Sequence, residues 1–252
     1  MPIDPPMDIE LPEASKKTRR SQIISTVVSP AVRLWLRSQV EQVERLEFKL
    51  VGGDRQILTG DIPSVSIAAS HAVYQGLHLS EIQLEGRDIR FNLGQVFKGK
   101  PLRLLAPIPV VGQLWLTESD LQASLESSLL SNALRELVET LLKSGDRPNQ
   151  TDSLKDREIH WQKINIDTDQ LTLTGVITNP ATLPIPIGIR AGLGLASHQE
   201  LQLNPLQIEL DPDQPPIHLD GFRIDLGSEV DIQELSLIPG RLICRGRLTV
   251  IP

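Results

Sequence analysis

The chain has a single cysteine, Cys244, and aromatic residues make up only 3% of its 252 residues. One cysteine cannot form an internal disulfide or a cysteine-rich metal site. No stretch stays apolar for the roughly 20 residues that a membrane-spanning helix needs. Lys and Arg number 25 against 32 Asp and Glu, and the net charge of −7 argues against a nucleic-acid partner held by phosphate neutralisation. With a disulfide scaffold, a membrane-spanning helix and a nucleic-acid partner excluded, we expect a folded chain that buries its own apolar core.

Aliphatic residues supply nearly all of that core. The sequence contains 39 leucines and 24 isoleucines, but only four Phe, three Trp and one Tyr. Hydrophobic residues at 40% and charged residues at 23% are ordinary proportions for a folded domain. An interior of branched aliphatic side chains suits a tunnel for acyl chains, and it also suits a filled core. Composition therefore leaves both interpretations open.

Residues 1–21 are predicted to form a disordered tail, because they contain four prolines and no apolar run. A basic cluster lies between Lys16 and Arg20, but the residues after it are not the uninterrupted apolar stretch of about 7–15 residues that a secretion signal needs. We therefore expect a cytoplasmic protein. The cluster also favours peripheral contact with an anionic membrane, at about 1 kcal/mol per cation near the surface. A solubilising tail is the alternative.

From Gln22 to about Glu44 the apolar residues follow a helical period. They cover an arc of roughly 220° at 100° per residue, and this arc includes Ile24, Val28 and Trp35. A helix that rests on one surface needs an apolar stripe only a little over about 100° wide. The pattern therefore predicts a long helix enclosed by a sheet, with membrane insertion or a helical partner as alternatives.

A second helical pattern lies near the middle of the chain. Thr117 followed by Asp120 has the spacing of a capping box at a helix N-terminus. Ser127 and Ser128 suggest a break, and the apolar face then continues to Leu141. This pattern predicts an amphipathic helix that covers a sheet or the end of a barrel.

The rest of the sequence indicates strands, in which one apolar pattern at positions i, i+2, i+5 and i+7 occurs four times. The copies are Leu77, Leu79, Ile82, Leu84; Ile159, Trp161, Ile164, Ile166; Leu201, Leu203, Leu206, Ile208; and Val230, Ile232, Leu235, Leu237. On a straight strand the second pair would face the opposite side from the first. A β-bulge between the pairs keeps all four on one side and bends the sheet. The pattern therefore predicts a highly curved, bulged antiparallel sheet, with chance matching as the alternative.

Two copies of this pattern also follow the same tripeptide. Ala-Ser-His occurs at residues 69–71 and again at residues 196–198. This weak repeat indicates two related halves, residues 22–143 and 156–252, joined by a polar linker at 144–155. We expect the halves to form a single domain over residues 22–252.

Catalytic and cofactor motifs are missing from the sequence, and its five histidines are isolated from one another. We therefore expect no enzyme activity, no metal site and no cofactor. One loop is unusual because it mixes three cations, Lys98, Lys100 and Arg103, with apolar neighbours. Such a loop can contact lipid headgroups while its apolar residues enter the membrane interface. A loop packed on the domain's own surface is the alternative.

Four stretches resemble a known family: residues 60–67, residues 70–79, residues 99–105 and residues 116–121. They are similar to the LmeA-like phospholipid-binding proteins, relatives of the tubular lipid-binding (TULIP) superfamily. The resemblance implies an α+β fold in which a highly curved antiparallel sheet wraps around a long N-terminal helix and leaves an apolar cavity. It also implies phospholipid binding without catalysis.

Together these features predict a non-enzymatic module that binds phospholipid or another acyl lipid and carries it at a membrane surface. The acyl chains are expected against Ile24, Val28, Trp35, Leu77, Leu79, Ile82 and Leu84. Headgroup or membrane contact is expected from Lys98, Lys100 and Arg103. The alternative is a structural or scaffold protein whose interior is filled and holds no ligand.

Overall fold

The structure, a computed structural model, describes residues 37, 40–92, 95, 99–101, 103–144, 157–179, 182–210, 215–219 and 221–252. The N-terminal part contains β1 (Gln42–Val51), α1 (Asp54–Thr59), β2 (Asp61–Tyr74), β3 (Leu77–Arg90) and β4 (Ile108–Thr117). Two helices follow, α2 (Glu118–Ser124) and α3 (Ser128–Ser144). The remaining strands are β5 (Glu158–Asp167), β6 (Gln170–Asn179), β7 (Thr182–Ser197), β8 (Glu200–Glu209), β9 (Ile217–Leu219), β10 (Phe222–Asp225), β11 (Val230–Ile238) and β12 (Arg241–Val250).

The strands form two antiparallel sheets. The first sheet has the order β1-β2-β3-β4-β12-β11, and the second has the order β10-β8-β7-β6-β5 with β9 paired to β8. The α+β class and the antiparallel sheet that the sequence predicts are therefore confirmed. The first sheet takes its last two strands from the C-terminal end of the chain, so it combines strands from both predicted halves. The division into halves stays a prediction.

The second sheet packs against α2 and α3 and forms the larger core cluster of the described residues. Val138 and Leu141 of α3 are completely buried against strand residues such as Leu206 and Ile208. These helices confirm the amphipathic pattern predicted near the middle of the chain. The capping box is also present, because the Asp120 backbone N–H donates to Thr117 Oγ1 over 3.2 Å. As predicted, the helical region breaks at Ser127.

Side chains of α2 hold the edge of the second sheet. The Ile166 backbone N–H donates to Glu118 Oε2 over 2.8 Å, and the Ile164 N–H donates to Gln122 Oε1 over 3.0 Å. Gln122 Nε2 in turn donates to the carbonyl of Gln162 over 2.8 Å. Because β5 is an edge strand, these bonds occupy backbone groups that would otherwise be free for another strand.

Three of the four predicted bulges are confirmed. The strand register shifts between Trp161 and Lys163, between Ile232 and Glu234, and where Asn204 and Pro205 together oppose Gly192. Beyond the first of these shifts, Ile164 is buried on the same side as Trp161. The extra residue keeps both apolar pairs in one core, which is the physical reason for the i, i+2, i+5, i+7 spacing.

Each of these bulges faces a glycine on the neighbouring strand: Gly175, Gly246 and Gly192. A Cβ atom at any of the three would lie closer than 3.0 Å to a backbone carbonyl oxygen of the facing bulged strand. At Gly192 that oxygen belongs to Asn204. The close approach of the two backbones therefore requires glycine at these positions.

The bulge predicted within Leu77–Leu84 is wrong. β3 pairs with β2 from Tyr74↔Leu77 to Asp61↔Arg90 without a register shift. No glycine lies opposite the central residues, and instead His71 of β2 adopts a left-handed φ of 48°. Without a shift, alternation places Leu77 and Leu79 on the opposite face of β3 from Ile82 and Leu84.

The predicted N-terminal helix is not seen in the described residues. Residues 22–36 lie outside them, and Arg37 is helical. The predicted end of the helix near Glu44 is wrong, because β1 begins at Gln42, which pairs with Val73. In this region the two-residue alternation of Leu46, Phe48 and Leu50 outweighs the helical period.

Replacing Gly192 with alanine should lower the free energy of unfolding by about 1–3 kcal/mol, as overpacking does elsewhere. Gly194 on the same strand is the matched control, since a Cβ there meets nothing within 4 Å. Gly194→Ala should change the free energy by less than about 0.5 kcal/mol. Urea denaturation of the two variants measures the difference. Equal losses would contradict the close-approach explanation.

Candidate functional site

Alternation of side chains gives the first sheet one continuous apolar face. Three cross-strand rows, each crossing all six strands, follow from the registers. The rows are Leu46, Ala69, Ile82, Leu114, Cys244, Leu235; Phe48, Ile67, Leu84, Gly112, Gly246, Ile232; and Leu50, Val65, Gly86, Val110, Leu248, Val230. These eighteen residues define the apolar face, and none of them has a charged side chain.

The apolar face is less deeply buried than the core of the second sheet. Its residues are half-buried, apart from the buried Gly86 and the exposed Leu248. The core residues of the second sheet are at most 8% exposed. A small second cluster around Ile57 of α1 covers one end of the apolar face, where Leu50 and Val65 pack against it.

The dimensions of this face suit hydrocarbon chains. Six strands spaced about 4.8 Å apart extend about 24 Å, and residues four apart on a strand are about 13 Å apart. One leaflet of a bilayer's hydrocarbon core is about 15 Å thick. The face is therefore long enough to hold an acyl chain laid across the strands.

The opposite side of the sheet is polar. Adjoining rows there include Glu47, Ala68, Gln83, Gln113, Arg245 and Glu234, followed by Lys49, Ser66, Glu85, Val111, Arg247 and Asp231. A groove of about 670 Å³ is lined by members of both polar rows and by five residues of the apolar row between them, Phe48, Ile67, Leu84, Gly112 and Gly246. The other two apolar rows do not contribute to its lining, so the groove lies on the polar side of the sheet. This groove is not the aliphatic tunnel that the sequence predicts.

The loop between β3 and β4 holds two of the predicted headgroup residues. Asn92 is buried and donates from Nδ2 to the Pro101 carbonyl over 3.0 Å, while its Oδ1 accepts from the Arg103 N–H over 2.7 Å. Lys100 and Arg103 are both exposed. Asn92 therefore fixes the backbone at Pro101 and Arg103, next to Lys100, while Lys98 lies outside the described residues.

A family model described as LmeA-like phospholipid-binding matches residues 20–247, which is most of the chain. The chain belongs to the LmeA-like phospholipid-binding family. Neither a curated protein nor a solved structure matches it. The family description agrees with the resemblance that the sequence carries.

Within the described ranges of this LmeA-like protein, none of the helices is long and apolar enough to cross a membrane. The same ranges hold no group of three His, Cys, Asp or Glu side chains that could bind a metal ion.

The residues predicted to line a lipid site in this LmeA-like protein divide into three groups. Ile82 and Leu84 lie on the apolar face. Leu77 and Leu79 lie at the hairpin end of β3 and point to its other side. Ile24, Val28 and Trp35 lie outside the described residues, so the cavity expected between them and the sheet stays a prediction.

Most of the apolar face of the LmeA-like protein was not nominated from the sequence. β1 contributes Leu46, Phe48 and Leu50, and β12 contributes Cys244 and Leu248. The alternation of apolar and charged residues in β1 is a sequence signal that could have identified its three apolar-face residues. What the sequence did not reveal is that β12 pairs with β4, which brings residues more than 120 positions apart into one row.

Asp120 is a structural carboxylate at the end of the first sheet. Burial raises its pKa, but hydrogen bonds from the Ser80 hydroxyl, the Thr117 hydroxyl and the Thr117 N–H, together with the charge of His71, outweigh burial, so the pKa of Asp120 is lowered. The Thr117 N–H bond is 3.0 Å long. The carboxylate thus joins β3 and β4 to the start of α2.

Because the folded-state pKa of Asp120 lies below its unfolded value, the ionised carboxylate stabilises the fold above about pH 4, and this contribution is lost as the pH falls through the lowered pKa. Asp120→Asn should therefore cost about 1 kcal/mol at pH 7, the size of an ordinary cap, and less at pH 2, where more of the carboxyl group is protonated. Chemical denaturation at both pH values measures this. Glu136→Gln, at an exposed position of α3, is the control. A loss that does not depend on pH would contradict the assignment.

Cys244 offers a reporter within the apolar face. Burial raises the pKa of the Cys244 thiol, and the nearby Glu234 carboxylate raises it further. Glu234 also accepts a hydrogen bond from Arg245 over 2.9 Å. The thiolate fraction of Cys244 at neutral pH is therefore lower than that of a free cysteine.

Glu234→Gln should move the pH profile of Cys244 labelling by a thiol reagent to lower pH, because the like charge that opposes the thiolate is removed. Arg245→Gln should move it to higher pH, since the Glu234 charge is no longer balanced. Alkylation rates measured from pH 7 to pH 10 give the profiles. Identical profiles for wild type and Glu234→Gln would show that Glu234 does not act on the thiol.

Proposed function

We propose that this protein is a non-enzymatic carrier that binds a phospholipid, or another acyl lipid, through the apolar face of its first sheet. The observation that supports this most is the unbroken set of three aliphatic rows across six strands, only half-buried by the rest of the protein. Membership of a family described as phospholipid-binding supports it independently.

Binding of this kind needs no charged anchor. Burial of apolar area contributes about 25 cal/mol per Å². A few hundred Å² of acyl-chain contact therefore contributes several kcal/mol before the costs of ordering the lipid. The apolar face has one titratable side chain, Cys244, and the pKa of its thiol is raised. The surface of the face is therefore hydrocarbon and carries no charged acid–base group.

The N-terminal segment completes the site in this proposal. A helix over residues 22–36 would be about 22 Å long, close to the roughly 24 Å width of the apolar face. We propose that the wide apolar arc expected of this helix, with Ile24, Val28 and Trp35, covers the face, with the acyl chains between the two. The chain enters β1 at Gln42 on the edge of the first sheet, beside Leu46, which supports this placement.

The lipid headgroup lies at the loop end of the face. Lys100 and Arg103 are exposed there, and Lys98 adjoins them in sequence. Their charge favours an anionic headgroup, such as a phosphate. In this arrangement the acyl tails lie on the sheet, and the headgroup remains in contact with water and with Lys100 and Arg103.

A scaffold with a filled interior is the second candidate. The tight core of the second sheet, in which Leu141 and Ile208 are completely buried, favours it for that part of the molecule. The two functions differ in one observable property, which is whether lipid accompanies the protein.

Full-length protein purified without detergent should carry phospholipid, observed by native mass spectrometry and in an organic extract. Leu84→Asp, on the apolar face, should reduce the bound lipid at least about tenfold, as the burial of a charge beside a chain predicts. Gln83→Asp is the matched control, since it places the same charge on the preceding residue of β3, whose side chain lies on the polar side. It should retain lipid as wild type does.

Ile67→Trp adds no charge to the apolar face. It should also reduce the bound lipid, because the larger side chain occupies space on that face. Circular dichroism and thermal melts identify any variant that fails to fold. A wild-type protein with a clean lipid-free mass, and no uptake of lipid when it is offered, would contradict the proposed function.

A further inference from the structure

The end of the first sheet that is farthest from the second sheet exposes large apolar side chains. This distal end comprises α1, the β3–β4 loop and the last residues of the chain, since Val51 aligns with Ser64 and Ile108 aligns with Val250. The exposed apolar residues here are Val51 (48%), Leu105 (60%), Leu248 (41%), Val250 (36%) and Ile251 (61%). They are five of the ten large apolar side chains that are exposed in the described part of the chain.

At this end the cluster around Ile57 covers the apolar face over β1, β2 and β4, and the face is open along β12. Along β12, Leu242 and Cys244 are half-buried, whereas Leu248 and Val250, which follow on the same side of the strand, are exposed. The apolar surface is therefore continuous from the middle of the sheet to the distal end. A hydrocarbon chain could move along it without crossing a polar row.

The charge of the distal end differs from that of the whole chain. The β3–β4 loop, residues 91–107, contains three Lys or Arg residues and no acid, a net charge of +3 in a protein of net charge −7. Arg87 and Arg90 pair with Glu85 and Asp61, at 2.9 Å and 3.7 Å. Lys100 and Arg103 have no carboxylate partner within the described ranges.

The charged and apolar parts of this end are held together. Asn92 fixes the backbone around Lys100 and Arg103, and the Leu105 N–H donates to the Arg90 carbonyl over 2.8 Å. Leu104 packs into the cluster around Ile57 while its neighbour Leu105 points to solvent. The loop therefore presents one exposed leucine next to two unpaired cations.

We propose that the distal end docks on an anionic phospholipid membrane, inserting Leu105, Val250 and Ile251 among the acyl chains while Lys100 and Arg103 contact lipid phosphates. Exposed apolar residues beside cations have the chemistry of a membrane interface. This inference rests on the proposed function, because it assigns the distal end as the place where lipid passes between the bilayer and the apolar face.

The test is co-sedimentation of the full-length protein with vesicles. Wild type should bind vesicles of equal parts phosphatidylglycerol and phosphatidylcholine, and should bind phosphatidylcholine vesicles weakly. The double variants Leu105→Asp/Ile251→Asp and Lys100→Glu/Arg103→Glu should each weaken binding to anionic vesicles about tenfold or more.

Two matched controls lie on the second sheet. Leu183→Asp removes an apolar side chain that is 85% exposed, and Lys163→Glu reverses an exposed cation on β5. Both should bind vesicles as wild type does. Equal weakening by the distal variants and the controls would overturn the proposal, as would wild-type binding that ignores anionic lipid.

Native mass spectrometry of the same samples separates this proposal from the proposed function. Distal variants that retain copurified lipid but lose vesicle binding support docking at this end. A wild type that carries lipid but does not bind anionic vesicles overturns docking and leaves the lipid site intact, whereas a lipid-free wild type overturns the proposed function. A concentration-dependent dimer that Leu105→Asp/Ile251→Asp abolishes, without vesicle binding, would identify a second copy as the occupant and overturn docking.

Discussion

Strand pairing in the first sheet decides which side chains share a face. Five strands in unbroken register, from β1 to β12, bring aliphatic residues to one side and charged residues to the other. A slip of one residue in any strand would exchange the two faces. Leu84 and Gln83, adjacent in sequence, thus contribute to surfaces of opposite chemistry.

The two sheets use their apolar sides differently. The second sheet is closed by α2 and α3, and its bulges keep residues such as Trp161 and Ile164 in one packed core. The first sheet is covered by α1 at one end and contacts α2 at the other, and most residues of the three apolar rows between them are only half-buried in the described part of the chain. Glu118 and Gln122 of α2 bind the edge of β5, and α2 begins directly after β4. The helix therefore links the closed second sheet to the open first sheet.

Local features were predictable from the sequence because they follow from short-range physics. The cap at Thr117, the break at Ser127 and the bulge at Trp161 each reflect a few neighbouring residues. The pairing of β12 with β4 was not predictable, since it joins distant residues through backbone bonds that carry no side-chain signature. The pattern at Leu77–Leu84 misled because it lacked the facing glycine that a bulge such as the one opposite Gly192 requires.

In the proposed function, acyl chains contact the aliphatic rows of the first sheet. Nuclear Overhauser effects between the methylene protons of a bound phospholipid and methyl-labelled side chains would detect this contact. Such effects are expected at Ile82, Leu84 and Leu114, and none at Val111 and Ile243, which lie on the polar side of the same strands. Effects at Val111 and Ile243 but not at Leu84, or none at any of these methyl groups, would show that the acyl chains do not lie on the apolar face.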